Sequence, residues 1–450
     1  MEPQATRRRR QSIQTPEDLV SLSETKEKKT KPCHVIQDSL FYTQSGFENY
    51  RGVLNLGIIL LILSTSRIAL DNLIKYGVLV NPFVWIRVFV DRPYEWHCTI
   101  LVLSLNIYVI FGLNLEKAAV KGVLSSNTVR ALWIVLLALL LVVPVVVFLL
   151  VKPNPFAAAF ALLLHTNSFL KLFSYRAVNA ECRREYSTTS PPSKKDDEES
   201  GLVQYPDNLN YRDIVYFMLA PTVCYELNFP RTERIRKRFL LKRTIEVVVI
   251  SCMLLALGQQ WLVPTIENSM KPFNELDYMR MLERLLKLAV PNHLLWLMFF
   301  YGYFHSLLNA IGEVLRFGDR GFYSDWWNAE TIPQFWSDWN VPIHKWARRH
   351  VFKPMLQAGY SKLQGALVVF VISAFFHEYL VSVPLRMLKA WAFTAMIAQI
   401  PLAYLTPRFL RGIYGNGVVW LSLILGQPAA ILMYCHDYYI MHVAAASENH

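Results

Sequence analysis

No two of the six cysteines in this chain stand at C-x-x-C spacing. Cys33, Cys98, Cys182, Cys224, Cys252 and Cys435 are scattered, several of them in or beside apolar runs. That pattern argues against a metal knuckle and against a disulfide framework. No glycine-rich phosphate loop and no G-x-S-x-G elbow is present, which sets aside the common nucleotide-hydrolysing and serine-hydrolase designs. The run His377-Glu378-Tyr379-Leu380-Val381 opens like a zinc-protease H-E-x-x-H, but Val381 stands where the second ligand belongs. The adjacent Cys435-His436-Asp437 reads as a boundary turn, because nucleophile and base normally meet by folding rather than in sequence. No N-x-S/T sequon occurs, which says nothing against residence in a secretory membrane. Internal repeats are absent as well, which disfavours a transporter built from two related halves. Charge is scarce: 18% of the 450 residues are charged against 53% hydrophobic. A soluble globular chain carries more charge and breaks its apolar runs sooner.

What the chain has instead is long apolar stretches. Windows of about 19 residues give roughly nine candidate spans, near 54–70, 97–113, 130–151, 155–172, 245–263, 288–308, 365–385, 390–406 and 417–434. The weakest are 155–172, which contains His165 and Asn167, and the short 390–406. The expected class is an all-α polytopic membrane protein. The first fifty residues are polar, so no cleavable signal is expected and the span at 54–70 serves as the targeting anchor.

Arg7 to Arg10 precede the first span and argue for a cytosolic N-terminus. Alternation from there places the basic segments 230–243 and 344–354 on the cytosolic side and the C-terminus in the lumen. The net charge of +12 then reflects this bias and attraction to anionic headgroups or an anionic substrate. No basic face with interleaved stacking aromatics points to nucleic acid. Residues 1–32 form a charged, Ser/Thr-rich arm expected to be disordered, as is the insert 187–200. Residues 33–442 form the membrane-embedded domain and 443–450 a luminal tail. The aromatic stretch 203–230 is expected on the membrane surface or packed into the bundle.

Two features carry chemistry. His377 and Glu378 sit inside the apolar run Gly365 to Leu385. An ionisable group there costs at least ~2.5–3.5 kcal/mol on insertion scales, so its default reading is a working site. The second is the segment Phe317 to Pro354, which holds Trp326, Trp327, Trp336, Trp339 and Trp346 among Asp, Asn, His and basic residues. An interfacial tryptophan belt accounts for about half of these rings. It does not account for the repeated units Asp325-Trp326-Trp327-Asn328 and Asp338-Trp339-Asn340. A loop that holds an anionic, nucleotide-bearing ligand needs flat faces and cations, and 309–364 offers both.

Phe322 to Asn328, FYSDWWN, resembles the FYxDWWN signature of the membrane-bound O-acyltransferases that esterify neutral lipids. His377 in its apolar helix matches that family's catalytic histidine, with Asn340 at its partner asparagine. FGDRGFYSDWWN, WNVPIHKW, SAFFHEYLVSVPLRM, QIPLAY and HDYY resemble the branch that esterifies diacylglycerol, as do YRDIVYFMLAPTVCYELNFPR and RFLLKRTIEVVVI upstream. The resemblance runs from about Cys33 to about His442. It implies a helical bundle enclosing a reaction chamber in the endoplasmic-reticulum membrane, acyl-CoA as co-substrate with no permanently bound cofactor or metal, diacylglycerol as acceptor, and a homodimer or homotetramer. One position departs from the pattern: Phe352 stands where the family is expected to carry tyrosine, which puts any contact of that hydroxyl with acyl-CoA in doubt.

The chemistry fits these residues. A lipid hydroxyl attacks a thioester poorly while protonated, and histidine, titrating near ~6.5, can take that proton. The thiolate of coenzyme A leaves readily, so direct transfer in a ternary complex needs no acyl-enzyme. The amide of Asn340 can hydrogen-bond a carbonyl oxygen. Ser373, four residues before His377, shares its helical face. Glu378 lies about 100° around the helix and either braces the bundle or meets a cation. The resemblance implies that it is needed. Gln399 and Gln427 are isolated amides in apolar runs, read at even odds as interhelical hydrogen bonds and by resemblance as substrate-facing. The resemblance also places Trp339 beside the site, and Phe322, Tyr323, Asp325, Trp326, Trp327, Asn328, His344 and Lys362 at the acyl-CoA. Lys362 alternatively snorkels, and His344 alternatively is only exposed. Sterol or long-chain alcohol esterification is the rival within the class. A transporter using His377–Glu378 as a proton relay is the distant one.

Overall fold

The structure is a computed structural model that describes residues 51–81, 83, 96–188, 202–274, 277–410 and 412–441. The expected arm 1–32, most of the insert 187–200 and the tail 443–450 lie outside the described residues. Contacts divide the chain into Met1–Ile68 and Ala69–His450. The described part of the first unit belongs to α1 (Arg51–Tyr76), where leucines and isoleucines such as Leu60 and Leu61 are exposed. Apolar side chains exposed along a whole helix are what lipid, not water, accommodates.

The second unit begins with a compact trio of α2 (His97–Val120), α3 (Ser126–Val151) and α4 (Pro155–Thr188). Ser125 caps α3 by accepting the Thr128 N–H at 3.1 Å, a local bond that satisfies one of the four unpaired donors at a helix start. α4 opens on proline, whose missing N–H costs nothing there. It runs well beyond the expected 155–172. The aromatic stretch 203–230 packs into this trio: Leu209, Ile214, Phe217 and Tyr225 share a buried cluster with Leu113, Trp133, Leu140 and Tyr175. Lys171 of α4 fixes it there. Its ammonium donates to the carbonyls of Phe217, Met218 and Ala220 at 3.0, 2.8 and 2.7 Å. Those carbonyls belong to the end of α5 (Tyr211–Leu219) and the residue beyond it, where a helix leaves acceptors unpaired.

α6 (Lys237–Leu257), a π turn at Gly258–Leu262 and α7 (Val263–Asn274) follow without interruption. The π turn presents two amides to the segment after α1. Gln260 accepts the Leu79 N–H at 2.8 Å and donates to the Gly77 carbonyl at 2.8 Å, while Gln259 accepts the Asn81 N–H at 3.0 Å. α8 (Tyr278–Phe300), a second π turn at Tyr301–Leu307 and α9 (Leu308–Val314) likewise run on. At Gly302 a Cβ would lie 2.9 Å from the Ile250 side chain, so glycine lets this π turn approach α6 closely.

The segment expected as a cytosolic loop is folded. It contains a 3-10 turn at Trp326–Asn328, α10 (Ile332–Trp339), α11 (Val341–Ala347), a π turn at Arg348–Phe352 and α12 (Lys353–Gln357). α13 (Lys362–Leu385), α14 (Trp391–Ile397), α15 (Gln399–Phe409) and α16 (Ile413–Tyr439) complete the described chain. Cys435, His436 and Asp437 lie within α16 rather than at a turn, so that expectation is corrected.

Among the described residues no strand forms, and seven helices are long and apolar enough to cross a membrane. Two of the nine expected spans, 245–263 and 390–406, are not among them. The first lies in the rod begun by α6, whose early turns carry Lys237, Arg238, Lys242 and Arg243. The second is broken at Ala398 into α14 and α15. A dense aromatic core ties α8, α10 and α16 together: Phe300, Phe304, Phe322, Trp326, Phe335, Val419 and Leu423 are all buried in it. Aromatic rings each bury about 150–250 Å². This cluster therefore supplies the main apolar anchor of 317–339.

Candidate active site

α13 starts at a capping box. Ser361 accepts the Gln364 N–H at 3.2 Å, and the Gln364 side chain accepts the Ser361 N–H at 2.9 Å. From that fixed start, helical geometry carries His377 to membrane depth. Its Nδ1 lies 2.7 Å from the Ser373 carbonyl oxygen. A carbonyl only accepts, so the neutral ring carries its proton on Nδ1 and leaves the Nε2 lone pair free. Ser373 thus touches the histidine through its backbone carbonyl. Protein surrounds His377, yet its surface is exposed.

Trp336 of α10 stands against it, 5.8 Å between ring centroids and 82° between planes. The Trp336 indole N–H donates to Gln399 Oε1 at 2.8 Å. His377, Trp336 and Gln399 therefore form one group drawn from α13, α10 and α15. Asn340 closes the same short helix, four residues after Trp336. Its Oδ1 accepts the Ile343 N–H at 3.3 Å and caps α11. With the oxygen engaged, its NH₂ is the half that can meet a ligand. Trp339 stacks face to face on Trp296 of α8, 4.5 Å apart and 10° from parallel.

The signature residues divide. Phe322 and Trp326 are 1% and 3% exposed in the aromatic core. Both pack among the aromatic rings of that cluster. Tyr323 pairs its hydroxyl with His305 Nδ1 at 2.7 Å. Asp325 accepts the Asn328 N–H on its carbonyl at 2.9 Å, closing the turn. The Trp327 carbonyl accepts from Asn416 and Trp420 of α16 at 3.0 and 3.2 Å, leaving its ring exposed. The backbone of the motif is thus tied to α16, and only part of its side-chain surface is open.

Glu378 turns away from His377. Its carboxylate accepts from the Tyr434 hydroxyl at 2.7 Å and from the N–H groups of Ala390 and Phe393 at 3.0 Å each, and it also receives the Ser382 hydroxyl. Tyr434 Oη in turn accepts the Ala392 N–H at 3.1 Å. These contacts fasten the start of α14 to α13 and α16. Among the described residues no cation pairs with Glu378, so of its two expected roles the structure shows the brace. Asp437, one turn on from Tyr434, accepts the Trp391 indole N–H at 2.8 Å and adds a second tie to α14.

Gln427 meets Asn292 of α8 across a long contact of 3.5 Å. Lys362 is exposed at the first position of α13, and His344 is exposed on α11. The Phe352 ring lies over Gly365, where a Cβ would be 3.0 Å from it. His350 bonds Ser174 of α4 at 2.8 Å. Burial, helped by neighbouring Arg349, pushes its imidazole down to about 4. Tyr434, and Asn292 with the adjacent His293, both buried in α8, carry weight here without having been singled out by the sequence. For the last two the signal was present: a polar pair inside the apolar run of α8 satisfies the same rule that marked His377 and Glu378.

The family model described as MBOAT, membrane-bound O-acyltransferase family, matches residues 122–436. A Homo sapiens protein named diacylglycerol O-acyltransferase 1 is 54% identical over 416 residues, 92% of this chain and 85% of that one. The Bos taurus protein of the same name is 54% identical over 417 residues, 91% and 85% of the two chains. At greater distance, Oryza sativa subsp. japonica diacylglycerol O-acyltransferase 1-2 is 35% identical over 410 residues, 89% and 84% of the two. With the family match covering well over half its length and relatives covering nearly all of it, this chain belongs to the membrane-bound O-acyltransferase family.

Proposed function

We propose that the chain transfers the acyl group of a fatty acyl-CoA to the free hydroxyl of diacylglycerol, giving triacylglycerol and coenzyme A. The observation that carries the reading is the pinned histidine. His377 Nδ1 faces the Ser373 carbonyl, which leaves Nε2 as the nitrogen free to accept a proton. Nε2 removes the hydroxyl proton as the oxygen attacks the thioester carbonyl. The C–S bond then breaks, and the departing thiolate takes the proton from the imidazolium. The amide NH₂ of Asn340 is the group suited to the developing oxyanion, since its Oδ1 is held by α11. No acyl-enzyme forms. Trp336 and Gln399 fix the edge of the imidazole. The acceptor assignment draws on the named relatives.

Residence in the endoplasmic-reticulum membrane belongs to the same reading, with acyl-CoA arriving from the cytosolic side at 309–364, diacylglycerol entering laterally between helices, and the chain assembling as a homodimer or homotetramer. For the basic, tryptophan-rich segment to share the side of the N-terminus, the rod begun by α6 crosses as an eighth span. For the C-terminus to be luminal, α14 and α15 cross as a broken ninth.

The test supplies purified protein in nanodiscs with labelled oleoyl-CoA and, separately, diacylglycerol, cholesterol and a long-chain alcohol. Label in triacylglycerol, well above the other esters, is the expected result. Preferred esterification of cholesterol keeps the chemistry and overturns the acceptor. Transport of lipid without ester formation overturns both.

A further inference from the structure

Inside α8 lies a histidine with no hydrogen-bond partner among the described residues. His293 is 8% exposed, and neither of its ring nitrogens has a hydrogen-bond partner. Its neighbours are rings: Trp296 stacks on it at 5.1 Å and Trp420 of α16 meets it edge-on at 5.5 Å. Beside it, Asn292 is 7% exposed and, among the described residues, its side chain reaches Gln427 Oε1 alone, at 3.5 Å. Gln427 lies two turns on from Trp420 and so shares its face of α16. The trio thus sits between two membrane helices, where unpaired polar groups are costly.

We infer that His293, Asn292 and Gln427 form a binding station for the uncharged polar end of a neutral glycerolipid, the acceptor alcohol of the reaction proposed above. A neutral imidazole has one donor and one acceptor. A diacylglycerol presents both complements, a hydroxyl that donates and ester carbonyls that accept. A triacylglycerol presents only acceptors, and an acyl chain presents neither. The station therefore favours the alcohol over the finished triester. None of its three side chains is a fixed cation, so phosphate-bearing lipids gain nothing there. The site is also joined to the proposed centre. Trp296, stacked on His293, stacks in turn on Trp339, the neighbour of Asn340.

This assignment rests on the acyltransferase reading, and the experiment separates the two. Initial rates are measured for wild type and His293→Phe, varying diacylglycerol at saturating oleoyl-CoA and then the reverse. Phenylalanine keeps a ring between the tryptophans and removes both unpaired nitrogens, so the variant is expected to match or exceed wild-type thermal stability. Its KM for diacylglycerol is expected to rise about tenfold, with the KM for oleoyl-CoA within twofold of wild type. His293→Gln, which keeps a donor and an acceptor, recovers most of that loss. Asn292→Leu provides a second variant with the same expected split. Wild-type KM values for diacylglycerol in both His293→Phe and Asn292→Leu overturn the station, as does an equal rise in both substrates' KM. Absence of triacylglycerol from wild type itself overturns the function instead.

Discussion

Trp336 stands edge-on to His377, with 5.8 Å between the ring centroids. The same indole donates its N–H to Gln399 at 2.8 Å. A short helix of the tryptophan-rich segment therefore sets the environment of the proposed base, and a glutamine from a third element sets the tryptophan.

That chain of contacts predicts coupling. Trp336→Phe keeps an aromatic edge but leaves the Gln399 carbonyl without its donor, and Gln399→Leu leaves the indole unpaired. Each is expected to lower kcat about tenfold, since an unsatisfied polar group in this half-buried pair costs about 1 kcal/mol or more. The double variant is expected to lose little more than either single one. A double-mutant cycle on kcat reads this, and simple additivity contradicts it.

Glu378 is predicted to matter for stability before chemistry. Its two oxygens receive Tyr434, Ser382 and two backbone N–H groups. In Glu378→Gln one oxygen becomes an amide that cannot accept. The loss expected is about 1.5–3 kcal/mol for a bond to a charged group, seen as a lower melting temperature in detergent. Activity per folded molecule falls less. Unchanged melting with abolished activity would place the carboxylate in the reaction instead.

Gly365 and Phe352 form a pair whose energetics reverse sign. Alanine at 365 gains about 1 kcal/mol in helix propensity, but its Cβ would meet the Phe352 ring at 3.0 Å. Overpacking of that kind costs about 1–3 kcal/mol. Gly365→Ala is therefore destabilising in the natural chain and stabilising in a Phe352→Leu background. Melting temperatures of the four proteins check it, and the same sign in both backgrounds refutes the contact.

His350 makes stability depend on pH. Burial holds its imidazole at about 4 in the folded protein, against the usual 6.5 of an exposed one. Between those values the unfolded chain binds a proton that the folded one refuses. Stability contributed by the neutral ring is complete above about pH 6.5 and declines as pH falls toward 4. His350→Gln, which retains a group able to bond Ser174, is expected to flatten that part of the melting curve. An unchanged slope between pH 6.5 and 4.5 contradicts it.

How much of this was legible in the sequence follows from what kind of signal each feature leaves. Apolar length marks a helix that lipid must accept, so the stretches around 97–113, 130–151 and 365–385 reappear as α2, α3 and α13. The same signal fails at 390–406, because composition does not register the break at Ala398. The ionisable pair in α13 was visible from the cost of placing it there. The opposite aims of its members were not, since only the fold supplies Tyr434 and the N–H groups of α14 to Glu378. In FYSDWWN, ring content alone cannot tell a ligand platform from a core. Trp326 went to the core because Phe300, Phe335 and Trp339 converge on it from other elements, and Phe322 shares that cluster. Gln399 carries no local hint that its partner is an indole 63 residues earlier.

The central claim is that His377 Nε2 is the base in direct acyl transfer. Its most direct measurement is triacylglycerol formed from diacylglycerol and labelled oleoyl-CoA in nanodiscs, comparing wild type with His377→Ala at matched folded yield. General-base catalysis contributes about 10²–10⁴-fold, so the variant is predicted to lose at least a hundredfold in kcat while still binding oleoyl-CoA. Activity within a few-fold of wild type would make His377 a structural residue and contradict the mechanism.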